Sequence, residues 1–484
     1  MTIRSNYAEG QTPQFRVLSE AQCQELYLAT LECLEWVGVI LTHPEARQLL
    51  AVAGARLAPG RVYIPAHIIQ QALASAPRTF TLWGRTPEQA IQVATDHVHF
   101  GPGPTCTFFY DPQTGQRRKA QRGDAGLTAR VCDALPNIDF AMSLSLFDNV
   151  TPMLSPVYEF AEMIANTGKP VVAWANDTRT LNDIFQIAAA VAGGEDALHA
   201  RPNFAYFASY ESPLRHGDQQ ITNLLWAAEH SLPVVYLGGP TVGLESPVTG
   251  ASALVIYLAA ALSGLAIVQL KRRGAPVVIG GVPSAMDLRT ARPAYGSPEM
   301  SLHAAAAADL SRYLGVPFMG TAGASESKLL DAQAAAESAV QILTSALSGA
   351  SLVHDVGFLD CADIGCLELL VLCDEIIAMT RRMLRGVPVN RQTIMLDLIE
   401  KVGPGGHFIT EAQSVSLCRS EIWVPTLMDR NAYTIWEKKG SKSARQRVQE
   451  KLGRILDEHQ PLPLPEGAAE QIERILQAAE GRYR

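Results

Sequence analysis

The segment Ser351–Ile377, SLVHDVGFLDCADIGCLELLVLCDEII, places His354, Asp355, Asp360, Cys361 and Asp363 within ten residues. Such a cluster offers three kinds of chemistry. A thiol at Cys361 with His354 as its base could act as a nucleophile. His354, Cys361 and Cys366 could be asked to hold zinc, but they lack a recognisable ligand spacing. His354 could instead orient a substrate by a hydrogen bond, with Cys361 as part of a pocket wall. The segment begins as an apolar strand and ends as an amphipathic helix. Cys366 and Cys373 fall on the apolar face of that helix and read as inert buried thiols.

Other turns supply aromatic rings. Phe109 lies in GPGPTCTFFYDPQTG, Trp174 in WANDT, Tyr210 in SYESPLRHGD and Tyr295 in GGVPSAMDLRTARPAYGSPE. Arranged around a quaternary ammonium, such rings make a cation–π cage. The same loops carry Glu211 and Arg289 as polar substrate contacts, Arg289 and His354 being donors suited to a carboxylate. No metal triad is expected. His97 and His99 share one face of a strand but sit at its start, away from where a catalytic group belongs.

The elements that must position these residues form a rhythm. Eight strand-like runs follow one another: HVHFGPG, DFAMSLSL, PVVAWA, NFAYFAS, PVVYLGG, PVVIGG, PFMGTAG and SLVHDVG. Helical patterns separate them. The runs are continuously apolar, as in a parallel sheet buried on both faces. This predicts an α/β fold, a (β/α)8 TIM barrel over residues 96–390, with the site in the loops that follow the strands. Residues 1–95 read as an N-terminal helical extension with a short strand, in which Ser19 and Gln22 form a capping box. Residues 391–484 read as a C-terminal helical tail that packs on the barrel or makes an oligomer contact.

Composition narrows the class. The 484 residues are 48% hydrophobic and 18% charged, with a net charge of -8, which offers no general attraction to nucleic acid or an anionic membrane. The most apolar run, GASALVIYLAAALSGLAIVQL, is rich in Ala and Gly and lies between two strand runs, so a buried helix is expected rather than a membrane span. The start of the chain shows no apolar leader core. The eight cysteines contain no CxxC pair and read as reduced thiols in a cytoplasmic protein.

A family resemblance runs through nearly the whole chain, in LEWVGV, FGPGPTCTFFYDPQTGQRR, NTGKPVV, SPVTGASAL, MDLRTARPAYGSPE, ASESKLLDAQAAAE, HDVGFLD, GPGGHF and EIWVPTLMDR. The chain resembles the trimethylamine methyltransferase family, and in particular its non-pyrrolysine branch of glycine betaine:corrinoid methyltransferases. The resemblance implies a barrel enzyme that moves a methyl group from a quaternary, betaine-like amine to the Co(I) corrinoid of a separate carrier protein. It implies no cofactor bound by the chain itself. Where the trimethylamine enzymes carry pyrrolysine, after a segment like GFLD, this chain has Cys361. The helix after GPGGHF departs from the family in lacking histidines. The alternatives are a non-catalytic barrel that senses methylated amines, or a lyase or aldolase using Lys328 as a Schiff-base residue. A homo-oligomer is expected.

Overall fold

The computed structural model describes residues 12–483; residues 1–11, part of the expected extension, lie outside them. Seven parallel strands build the barrel wall: β1 (His99–Phe100), β2 (Val171–Ala173), β3 (Phe204–Ser209), β4 (Val234–Leu237), β5 (Val277–Gly280), β6 (Phe318–Thr321) and β7 (Leu352–His354). They hydrogen-bond in the order β1-β7-β6-β5-β4-β3-β2.

The gap between β1 and β2 is closed by residues 139–142, where DFAMSLSL was expected to form the second strand. Asp139 donates its N–H to Phe100 O (2.7 Å), Ala141 donates to Pro170 O (2.9 Å), and Val172 donates to Ala141 O (3.0 Å). The segment therefore bonds to both edges without forming a regular ladder. Its run ends early because Leu144 takes a left-handed conformation (φ 65°). The chain then leaves the wall, and Ser145 bridges to Cys106 instead. Eight long helices alternate with these segments, from Arg122–Ala134 to Leu367–Leu384, and a short one, Glu195–Ala200, follows Thr178–Ala192 ahead of β3.

Period-2 alternation divides each strand between two environments. Phe140, Met142, Val172, Ala205, Val235, Val278, Met319 and Leu352 pack together inside the barrel. Tyr206 and Tyr236 point outward and are fully buried against the helices. The helix Gly250–Lys271 comes so close to β4 that a Cβ on Gly264 would lie 2.0 Å from the Tyr236 ring. Its outer side is covered by helices Glu20–Glu32, Pro44–Val52 and Ala66–Ser75 of the extension. That cover explains its hydropathy: the helix is long and apolar enough to cross a membrane, yet 78% of its most apolar window is buried in protein.

The N-terminal end of the barrel is plugged. Strand Thr79–Leu82 pairs antiparallel with Ile91–Ala94, and Leu82, Ile91 and Val93 join the interior cluster from below. Trp83 and Arg85 fix this hairpin by donating their N–H groups to Pro202 O (2.8 Å) and Gly168 O (2.7 Å), just ahead of β3 and β2. At the other end of the chain, helix Ala444–Glu458 packs on helices Leu367–Leu384 and Arg122–Ala134, and helix Ala468–Gly481 packs on Thr178–Ala192 and Ser155–Asn166.

Candidate active site at the barrel mouth

The strands end in a cavity of about 190 Å³ lined by Pro104, Thr105, Leu146, Trp174, Ala175, Phe207, Ser209 and Gln220. Phe207 and Ser209 reach it because they continue the inward parity of Ala205 on β3. His354 ends β7 on the same inward parity as Leu352. It is buried (6% exposed) and packs edge to face on Phe207, with ring centroids 5.8 Å apart. Its Nε2 is 3.4 Å from Thr321 Oγ1. Its Nδ1 is 2.6 Å from Asp355 Oδ1, a contact too far off axis to count as a hydrogen bond. Asp355 in turn presses on Gly103, where a Cβ would lie 2.2 Å from its Oδ1.

Trp174 is oriented from behind. Its indole Nε1 donates to Glu159 Oε2 (2.8 Å), and Ser155 Oγ donates to Glu159 Oε1 (3.2 Å). Glu159 is 1% exposed. Burial pushes its carboxyl up to about 8, against the opposing effect of the hydrogen bonds from Trp174 and Ser155. At neutral pH the group behind the indole is therefore mostly a neutral acid.

After His354 the chain inserts a small hairpin, Phe358–Leu359 with Ile364–Gly365, before the helix begins. The hairpin pairs in parallel with Phe108–Tyr110, which pairs with Arg117–Lys119. The first and last strand-to-helix loops thus fuse into one four-stranded flap. Its tip is unusual: Asp360, Cys361 and Ala362 are all left-handed, with φ of 50°, 55° and 64°. Each such residue costs roughly 1–2 kcal/mol. The tip is held by Arg292, whose Nη1 donates to Asp360 Oδ1 (3.0 Å) and Nη2 to Asp360 O (3.1 Å). Cys361 Sγ donates to Pro293 O (2.9 Å). Burial first, then the Glu326 carboxylate, pushes this thiol up to about 11.

The residues singled out in the sequence thus separate into groups. Trp174 lines the cavity, and His354 stands behind Phe207. Cys361 and Tyr295 meet at the flap tip, away from the cavity wall; burial raises the Tyr295 phenol well above its ordinary value. Phe109 is fully buried under the flap. Tyr210 turns outward, between the barrel wall and helix Gly250–Lys271. Its hydroxyl donates to Gly238 O (2.8 Å), and it neighbours His216, whose imidazole burial pushes down to about 4. Glu211 is exposed and paired with Arg215 (3.0 Å). Arg289 sits on an exposed hairpin and reaches only Asp287 (3.5 Å). Lys328, the Schiff-base candidate, is exposed, donates to Glu326 O (2.7 Å) and lies 3.5 Å from Asp360.

Phe207 and Glu159 were not foreseen. The signal for Phe207 was its even spacing from Ala205 on β3. Glu159 carried no signal, because PVYEFAEMIANTG gives no sign that this acid faces inward. Among the described residues no group of three His, Cys, Asp or Glu side chains is placed to hold a metal ion.

A (β/α)8 barrel with an aromatic-walled cavity at the carboxyl ends of its strands is the class this geometry defines. The family model described as trimethylamine methyltransferase (MTTB) matches residues 2–479, and the chain belongs to that family. It is 30% identical over 470 residues to the trimethylamine methyltransferase MttB of Desulfitobacterium hafniense strain DCB-2, covering 96% of this chain and 94% of that protein. It is 29% identical over 451 residues to the glycine betaine methyltransferase of strain Y51 of the same species, covering 93% and 94%. Trimethylamine methyltransferase MttB of Methanosarcina barkeri is 29% identical over 484 residues, covering 97% and 96%. Among solved structures, the Methanosarcina barkeri monomethylamine methyltransferase aligns over 91% of this chain and 93% of its own, with a TM-score of 0.49 and 12% identity. The chain is a methyltransferase.

Proposed function

We propose that this methyltransferase removes a methyl group from a quaternary, betaine-like ammonium and passes it to the corrinoid of a separate carrier protein that docks over the barrel mouth. The observation that carries the reading is the cavity walled by Trp174 and Phe207. Aromatic faces attract a quaternary cation by about 0.5–2 kcal/mol, and the indole is fixed by its bond to Glu159.

The reaction suits a site without an exposed general acid. A quaternary ammonium departs as a neutral tertiary amine, so no proton need be delivered to it. The buried acid behind the cavity wall, Glu159, is engaged by the Trp174 indole. The carrier's reduced corrinoid supplies the nucleophile that accepts the methyl group. This chain's own residues then hold the cation, aim one methyl outward and exclude water. His354 orients the polar end of the substrate by a hydrogen bond. Cys361 is a structural thiol and not a nucleophile: it stays protonated at neutral pH and is engaged with Pro293 O.

The test is anaerobic incubation with a reduced corrinoid carrier and a panel of methylated amines, followed by visible absorbance. Methylation of the corrinoid by a quaternary member supports the reading. Tight binding with no transfer would favour a sensing barrel instead. The Cys361→Ser variant should keep activity within about twofold, the size of one weak hydrogen bond at most.

A further inference from the structure

The cavity at the barrel mouth carries no formal charge. None of the residues that line it is acidic or basic, and Glu159 behind the indole is mostly a neutral acid. A bare cation entering such a space gives up hydration without meeting a counter-charge, and aromatic faces return only part of that loss. An inner salt brings its own carboxylate, is neutral overall, and needs only hydrogen-bond donors for that end. Arg289, expected from the sequence to supply them, lies on an exposed hairpin and reaches only Asp287.

Gln220 is on the wall instead, in the first turn of helix Asp218–Glu229. A chain of bonds behind it allows its amide one orientation. Ala175 O can only accept, so the Asn223 atom bonded to it (3.4 Å) is Nδ2. The same Nδ2 donates to the Tyr206 hydroxyl (3.1 Å), while Asn223 Oδ1 accepts from Gln219 Nε2 (3.1 Å). Tyr206 must then pass its single proton on, to Gln220 Oε1 (3.2 Å). Asn223 and Tyr206 are both fully buried, and burial raises the Tyr206 phenol, so that proton stays in place. Gln220 Oε1 is thereby engaged. Its Nε2, with two hydrogens and no partner among the described residues, is left for the cavity. Thr105 and Ser209 add exposed hydroxyls to the same wall.

We propose that Gln220 selects the methyl donor: its Nε2 donates to the carboxylate of a zwitterionic quaternary amine, so inner salts are taken in preference to bare ammonium cations. The proposal rests on the reading of this cavity as a quaternary-amine site. It adds a donor on the wall itself to His354, which stands behind Phe207. Because the acceptor is charged, the bond is of the stronger kind. A compound without the carboxylate leaves Nε2 unpaired, and a site built around a hydrogen bond rejects the analogue that cannot make it. Gln220 touches the substrate; Tyr206 and Asn223 are positioning residues that hold its amide the right way round.

Calorimetry on the full-length chain tests this, with glycine betaine, choline and tetramethylammonium as probes. The wild type should bind glycine betaine about tenfold or more above tetramethylammonium, with choline between them. Gln220→Glu keeps an oxygen to accept from Tyr206 and puts a second oxygen in place of the donor. It should weaken glycine betaine binding by about 10–100-fold and leave tetramethylammonium bound as well or better, so that the order inverts. Gln220→Met, similar in shape but without a donor, should lose the preference without inverting it, and decides the matter should Gln220→Glu fail to fold. Tyr206→Phe frees the amide to turn and should lower the preference by about two- to tenfold. A wild type that binds tetramethylammonium as tightly as glycine betaine overturns this inference and leaves the quaternary-amine reading standing. A preference unchanged in any folded variant overturns it too. A wild type that binds none of the three probes overturns both.

Discussion

The two ends of the barrel are finished by opposite means. At the N-terminal end a β-hairpin drives Leu82, Ile91 and Val93 into the barrel interior, and the clefts at that end, about 280 and 220 Å³, open beside the hairpin and are lined by it. At the C-terminal end the loops stop short and leave a cavity of about 190 Å³ walled by a half-buried Phe207 and an indole, with His354 packed behind the Phe207 ring. One strand serves both. On β3, Ala205 lies in the sealed layer, while Phe207 and Ser209, two and four residues further on, reach the mouth. The same alternation that makes a core therefore makes a site once the strand outruns its plug. Stability should reside below and binding above.

The largest expected effect breaks the lower end. Leu82→Ala empties a fully buried position and should destabilise the fold by about 2–5 kcal/mol in urea titration, with KM for the methyl donor unchanged in the molecules that remain folded. A large change in KM with little loss of stability would erase the contrast.

The upper end carries its own stability signature, through pH. Glu159 has a folded value of about 8, raised above the roughly 4.3 of an unfolded glutamate. The fold then binds a proton that the unfolded chain releases between these values. Stability from this group is present at low pH and is lost as pH rises through that window, by up to ~1.4 kcal/mol per unit. Glu159→Gln should flatten this decline in thermal melts between about pH 5 and about pH 8.5, the window that the raised value sets. An identical slope in both proteins would mean that the carboxyl is not held neutral.

Substitutions at the mouth should act on function. His354→Ala should slow methyl transfer by about 10–100-fold, the loss of a hydrogen bond of roughly 1.5–3 kcal/mol to a charged group, while the circular dichroism is unchanged. Trp174→Ala should weaken substrate binding by about 0.5–2 kcal/mol, read by calorimetry, and a neutral isostere of the substrate should feel much less of it. Equal losses for cation and isostere would make the indole a plain wall.

Much of this architecture could be read from the amino-acid order. Buried parallel strands are apolar throughout, so the eight units were visible as runs. The same property hid their sidedness: with both faces apolar, NFAYFAS does not announce whether Phe207 or Tyr206 looks inward. Tyr210 follows Ser209 by one residue and so falls on the outer side of the wall. Trp174 and His354 were found by their place at strand ends. The irregular closing segment was read as a strand because its composition is right, whereas the left-handed Leu144 is a consequence of tertiary pairing. Glu159 is buried by the neighbouring wall, which no local pattern encodes.

The most direct test of the central claim is single-turnover methyl transfer under anaerobic conditions, with reduced corrinoid carrier and matched quaternary and tertiary amines, for the wild type and Trp174→Ala. The account predicts corrinoid methylation from the quaternary donor, little from the tertiary one, and weaker donor binding in the variant. Transfer from trimethylamine at an equal rate, or transfer unaffected by loss of the indole, would contradict it.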